Sequence, residues 1–243
     1  ANVVVPQARS FAFGSGRQVR VTGVRVGVVI REQVANVTMD IGLFNPHHSA
    51  TEAELIVPVP ERAVVKAFTF EGAGRACGAQ LLPKHQARKI YDRIVARLRD
   101  PALLEFIGYN LIRTSVFPVR GGGTQKVRLR YEQLLPASGH RVDYFLPRSQ
   151  ALDYGIPWRV SIKISATRPI ATVYSPSHQF DKIRLAPNRL RITFTESALR
   201  EPGPLQLSYL LEDQEITASL FAYPEAGGGY FLLLAGVPAE LPA

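Results

Sequence analysis

Four groups of residues in this 243-residue chain have types that chemistry can use. His47 and His48 stand just before Glu52 and Glu54, a set able to offer nitrogen and oxygen ligands to a metal. Adjacent histidines in a turn point apart, whereas a helical metal site wants them four apart on one face. That group therefore reads as a solvated loop. Cys77 and His85 would make a thiol–imidazole pair, but no third group is evident to orient the imidazole. Cys77 reads instead as a small residue packed in a strand. Ser138-Gly139-His140 and Gly14-Ser15-Gly16 are turn sequences, and they match neither the nucleophile elbow of a serine hydrolase nor a phosphate-binding glycine loop. The fourth group is Lys89, Arg93 and Arg97, recurring every four residues along one helical face. Arginines so placed suit bidentate contacts with phosphates, sulfates or uronates. No catalytic residue, metal site or cofactor is expected, so the chain reads as a non-enzyme.

The elements that must position these residues are mostly strands. Arg17 to Arg31 alternates valines with polar residues and changes phase at Gly23, where a bulge would re-aim the strand. Val37, Met39, Ile41 and Leu43 alternate next, so the two runs pair as a hairpin with one buried face. Further strands are expected over Val127 to Tyr131, Val160 to Ile164, Leu190 to Phe194, Leu205 to Tyr209 and Ser219 to Tyr223. Gly121-Gly122-Gly123 and Ala186-Pro187-Asn188 supply turns. Asn36-Val37-Thr38 fits a glycosylation sequon but lies inside a strand, and reads as incidental. One helix is expected: Ala87, Ile90, Tyr91, Ile94, Val95 and Leu98 form an apolar stripe at 3.6-residue spacing, ended by Asp100-Pro101.

The reading is an all-β fold, mainly an antiparallel β-sandwich, with one amphipathic α-helix and two packed β units. The expected divisions are residues 1–135, a second β unit over 136–223, and a linker or strand over 224–243. Lys and Arg total 29 against 20 Asp and Glu, a net charge of +9 carried mostly by arginine. Such a balance admits a polyanionic partner but also describes an ordinary solvated surface, so charge alone decides little. A single cysteine excludes an internal disulfide and a cysteine-based metal cluster. The longest apolar run, Tyr230 to Val237, falls well short of the roughly 18 residues of a membrane helix.

The ordered motifs carry a resemblance. Phe44-Asn45-Pro46 is followed by a strand ending in Pro58 and Pro60, then by Ala87 to Asp92 with its Ile90-Tyr91 pair. Leu103-Leu104-Glu105, Val116-Phe117-Pro118 and Val127 to Leu134 complete the order. This succession resembles the vault protein inter-alpha-trypsin (VIT) domain over roughly residues 17 to 135, with Val59 where leucine is usual and Asp92 where glutamate is usual. The resemblance implies a β-rich module that precedes a von Willebrand factor A domain, as in inter-alpha-trypsin inhibitor heavy chain-like proteins. An adjacent A domain is thus expected beyond Ala243, with any D-x-S-x-S magnesium site there, since no such sequence occurs in this chain. The implied function is a non-catalytic scaffold supporting adhesion or protein–protein interaction, in the periplasm, at the cell surface or secreted. Its partner would be an unidentified protein or polysaccharide, with no nucleic acid expected. The alternative is a polyanion-binding module for acidic polysaccharide or lipopolysaccharide, acting through Lys89, Arg93 and Arg97.

Overall fold

Period-two alternation becomes strand after strand. The computed structural model describes residues 2–4, 19–70, 80–81, 110–148, 156–195, 203–212, 217–225 and 228–236. The first eight strands are β1 (Asn2–Val4), β2 (Arg20–Arg31), β3 (Val34–Phe44), β4 (Thr51–Val59), β5 (Ala63–Phe70), β6 (Gln80–Leu81), β7 (Asn110–Val119) and β8 (Thr124–Leu134). Five more follow as β9 (Ala137–Ser138), β10 (Arg141–Leu146), β11 (Trp158–Ser165), β12 (Ile170–Tyr174) and β13 (Phe180–Ala186). The last four are β14 (Arg189–Phe194), β15 (Leu205–Leu211), β16 (Thr217–Glu225) and β17 (Gly228–Gly236).

The central sheet has seven strands in the order β13-β14-β11-β2-β3-β8-β5. Two four-stranded sheets, β1-β4-β7-β6 and β12-β15-β10-β9, accompany it, and β16-β17 form a separate hairpin. In the central sheet one face is buried and the other solvated, as the alternation along β11, β14 and the part of β2 from Val24 onward records. Val26, Ile30, Met39, Ile41, Leu129 and Ile162 come from its inner face. They join Leu55, Val57, Ile112, Leu207 and Tyr209 of the smaller sheets in one continuous hydrophobic cluster.

The β2–β3 hairpin is as the alternation predicts, and the phase change near Gly23 is a register shift between Val21 and Gly23. The neighbour of β2 on its other side is less expected. β11 pairs with it in parallel, from Trp158 beside Val24 to Ser165 beside Arg31.

Two parts of the expected architecture are corrected. Among the described residues the fold is all-β without a helix. The segment from Ala87 to Leu98, on which the helix rested, lies outside them. The two-unit sandwich gives way to a sheet shared along the chain, with β2, β3, β5 and β8 continuous with β11, β13 and β14. The physical reason is that alternation specifies which face is buried but not which strand lies alongside. A parallel neighbour, joined by a long connection, leaves no turn signal.

Candidate functional site

The Phe44-Asn45-Pro46 motif closes the end of β3. Proline at 46 holds Asn45 in an extended conformation, and the asparagine side chain is fully buried. Its Nδ2 donates to the carbonyl oxygens of Ser49 at 2.9 Å and Val119 at 2.8 Å. Its Oδ1 accepts from the His47 amide at 2.9 Å. The backbone joins in: Asn45 N donates to Gly123 O at 3.2 Å, and Gly122 N donates to Asn45 O at 2.9 Å. One amide group therefore satisfies three backbone groups, two in the loop after β3 and one at the end of β7, that would otherwise lack this partner. Phe44 lies under the Arg20 guanidinium, whose Cζ is 5.0 Å from the ring centroid.

Gly121 completes this joint by its lack of a side chain. A Cβ there would collide with the His48 carbonyl and come within 2.7 Å of the His47 carbonyl oxygen. His47 and His48 thus press their backbones onto the β7–β8 turn, and they do not converge with Glu54, which forms an ion pair with Arg113. Among the described residues no three metal-ligating side chains gather.

Pro58 and Pro60 serve the next turn. β4 pairs with β7 along its length but with β1 only over Ala53 to Leu55. Pro58 falls beyond that second ladder, where a missing N–H is tolerated. The Pro60 carbonyl accepts from Ala63 N at 3.0 Å, bending the chain into β5.

The profile of the vault protein inter-alpha-trypsin domain matches residues 21–131, from β2 to β8. This part of the chain is a VIT domain. Among solved structures, the chain is similar to an M1 zinc metallopeptidase from Deinococcus radiodurans at 12% identity, over 94% of this chain and 50% of that one, with a TM-score of 0.43. It is also similar to a putative nutrient binding protein from Legionella pneumophila at 7% identity, over 79% of this chain and 67% of that one, with a TM-score of 0.48. The chain spans about half the length of the metallopeptidase chains it matches. No curated protein matches it.

Within the VIT domain, Asn45 is the residue whose chemistry the motif needs, and that chemistry is architectural. The other motif residues Tyr91, Leu103, Leu104 and Glu105 lie outside the described residues, as do Lys89, Arg93, Arg97, Cys77 and His85.

Two features escaped the sequence reading. Beyond the VIT domain, Arg148 is 1% exposed and stacks on Trp158, its Cζ 5.2 Å from the ring centroid. Arg148 Nη1 lies 3.0 Å from His178 Nε2. A guanidinium can only donate, so Nε2 accepts, and the imidazole proton sits on Nδ1, 2.8 Å from Ser177 Oγ. Phe194 packs edge-on against the His178 ring at 6.4 Å. With Nε2 committed to Arg148, this histidine is a packing element and offers no general base. The three partners are far apart in the chain, so no local pattern announces them.

The second feature is the solvent face of the central sheet, where Arg25, Arg159, Lys163 and Arg191 are all exposed. Asp40, on the same face, binds Arg128 through two hydrogen bonds of 2.5 and 2.8 Å. That bond to Arg128 holds the Asp40 carboxyl below its ordinary range. The alternation of Arg159, Ser161 and Lys163 along the outward side of β11 is visible in sequence, but their neighbours on β2 are not.

Proposed function

We propose that this chain is the non-catalytic scaffold of a VIT–von Willebrand A protein, and that its β16–β17 hairpin seats the neighbouring A domain. One observation carries this reading. Tyr230, Phe231 and Leu233 are 73%, 75% and 56% exposed on β17, a strand that among the described residues shares a hydrogen-bonded ladder with β16 alone. Burying a large apolar side chain contributes roughly 1.5–3 kcal/mol, and a two-stranded hairpin is marginal without a face to pack on. Phe231 and Leu233 share one side of the strand and Tyr230 takes the other, so the hairpin suits insertion against a larger apolar surface. The setting would be the periplasm or cell surface, and the activity adhesion or protein–protein contact.

Hydrogen exchange tests it. Amides of β16 and β17 are followed in this chain alone and in the natural full-length protein. Strong additional protection in the longer chain is the expected result. Equal exchange in both overturns the reading, as would a full-length Phe231→Ser/Leu233→Ser variant that unfolds at the unaltered temperature.

A further inference from the structure

The solvent face of the seven-stranded sheet is cationic in a pattern that its own stability does not favour. The parallel pairing of β11 with β2 sets Arg159 directly beside Arg25. The antiparallel pairing of β11 with β14 sets Lys163 opposite Arg191. Like charges facing each other across neighbouring strands are destabilising, yet both pairs occur on one face. Among the described residues no carboxylate forms an ion pair with any of the four. Asp40, the register partner of Arg25 on β3, is held by Arg128.

Between the two cation pairs runs a low floor. Thr193, Ser161, Gly27 and Thr38 are register partners in turn across β14, β11, β2 and β3. Gly27 has open space above it: an added Cβ would meet nothing within 4 Å. The fold therefore needs no glycine there for packing, and what its absence of side chain does is keep the trough open. With a rise of about 3.3 Å per residue, the banks at Arg159 and Lys163 stand roughly 13 Å apart, and successive strands offer a contact about every 4.8 Å.

We propose that this trough binds a linear acidic polysaccharide, laid across the strands with its carboxylate or sulfate groups reaching the cations on both banks and its hydroxyls meeting Ser161, Thr38 and Thr193. The site is separate from the β16–β17 hairpin and stands or falls independently of it. Charge complementarity asks for a polyanion, and shape chooses among polyanions. Strands in a sheet rotate by about 20–25° each, so the trough turns through roughly 60–75° over four strands. A flexible chain follows that twist, whereas a planar bilayer meets only part of it. Single-stranded nucleic acid would need aromatic platforms for its bases, and the floor is hydroxyls and glycine.

The test is a binding titration of the full chain with a polyuronate and with heparin, beside neutral dextran, oligo-dT and phosphatidylglycerol vesicles. The expected result is saturable binding of an acidic polysaccharide that weakens steeply with salt, and none of dextran. Arg159→Glu/Lys163→Glu should lower that affinity about tenfold or more, as expected when charges that carry the binding are reversed. Gly27→Tyr should do the same with every charge retained, and tyrosine is favoured in strands, so folding is kept. Phe231→Ser/Leu233→Ser should leave binding unchanged. No binding by the unaltered chain, tighter binding of oligo-dT or vesicles, or full affinity in a folded Gly27→Tyr variant would each overturn the proposal.

Discussion

The Tyr209 hydroxyl donates to the backbone carbonyl of Glu32 at 2.5 Å, joining positions 177 residues apart. Among the described residues Glu32 is the non-glycine residue with positive φ, at 53°, in the tight turn between β2 and β3. Its amide donates to Ser165 O at 3.0 Å, and its carboxylate accepts from Thr167 Oγ1 at 2.6 Å. A backbone conformation that glutamate adopts reluctantly is thus held by three bonds from outside the VIT domain.

Tyr209→Phe should therefore lower stability by about 1–1.5 kcal/mol, the net worth of one buried hydrogen bond. Urea denaturation would show a lower midpoint at unchanged slope. An unmoved midpoint would mean that the Ser165 and Thr167 bonds suffice.

The same phenol should make the fold alkali-sensitive. Burial, and after it the Glu32 carboxylate, raises the Tyr209 pKa above its ordinary 10.0. Burial likewise raises Tyr131 and Tyr144. For groups with raised folded pKa values, the folded state keeps protons that the unfolded state releases. The stability they contribute is complete below about pH 10 and falls as pH climbs beyond it. Phenolate absorbance should show late-titrating tyrosines whose appearance coincides with unfolding. Smooth titration of all tyrosines near pH 10 in the folded protein would contradict this.

At the acid end the sign reverses. The Arg128 hydrogen bond lowers the Asp40 pKa below 3.8, so its contribution is present above that value and disappears as pH falls through the folded one. The pair is partly solvated, so Asp40→Asn should cost only about 0.5–1 kcal/mol at neutral pH. The difference between variant and parent should shrink as pH falls below the ordinary carboxylate range and Asp40 takes up its proton in the folded state. A difference that persists there would assign the effect to packing.

Asn45→Ala should be the most damaging single change at the VIT motif. It leaves the Val119 and Ser49 carbonyls and the His47 amide without their side-chain partner, an expected loss of about 2–4 kcal/mol. Asn45→Asp cannot donate and should rescue little. Gly121→Ala should destabilise independently, because its methyl meets the His48 backbone carbonyl, which cannot rotate away. Thermal unfolding of the three variants checks the set, and a melting temperature near the parent's for Asn45→Ala would remove the joint from the account.

Much of this was legible in sequence where the signal is local. Alternating valines named the inner face of β2, and Gly23 marked its bulge. Asn45-Pro46 and Gly121-Gly122-Gly123 were readable as turns, though not that they clasp each other. What stayed hidden depends on partners distant in the chain. Nothing near Arg159 says that Arg25 lies beside it, and nothing near Arg148 points to His178. The basic residues weighed from sequence, Lys89, Arg93 and Arg97, were conspicuous because helical spacing gathers them in one short segment. Cations gathered across strands are invisible until the strand order is known.

That strand order also sets a clock. Val24 meets its partner Trp158 only after the intervening chain has been made. At about 5–20 residues per second, β2 would wait on the order of ten seconds on the ribosome with one edge unsatisfied. An open strand edge is a template for aggregation unless charged side chains guard it. Arg25 and Arg31 stand on the waiting strand. The arginines of this sheet would then act first as gatekeepers of the nascent chain, before any partner arrives.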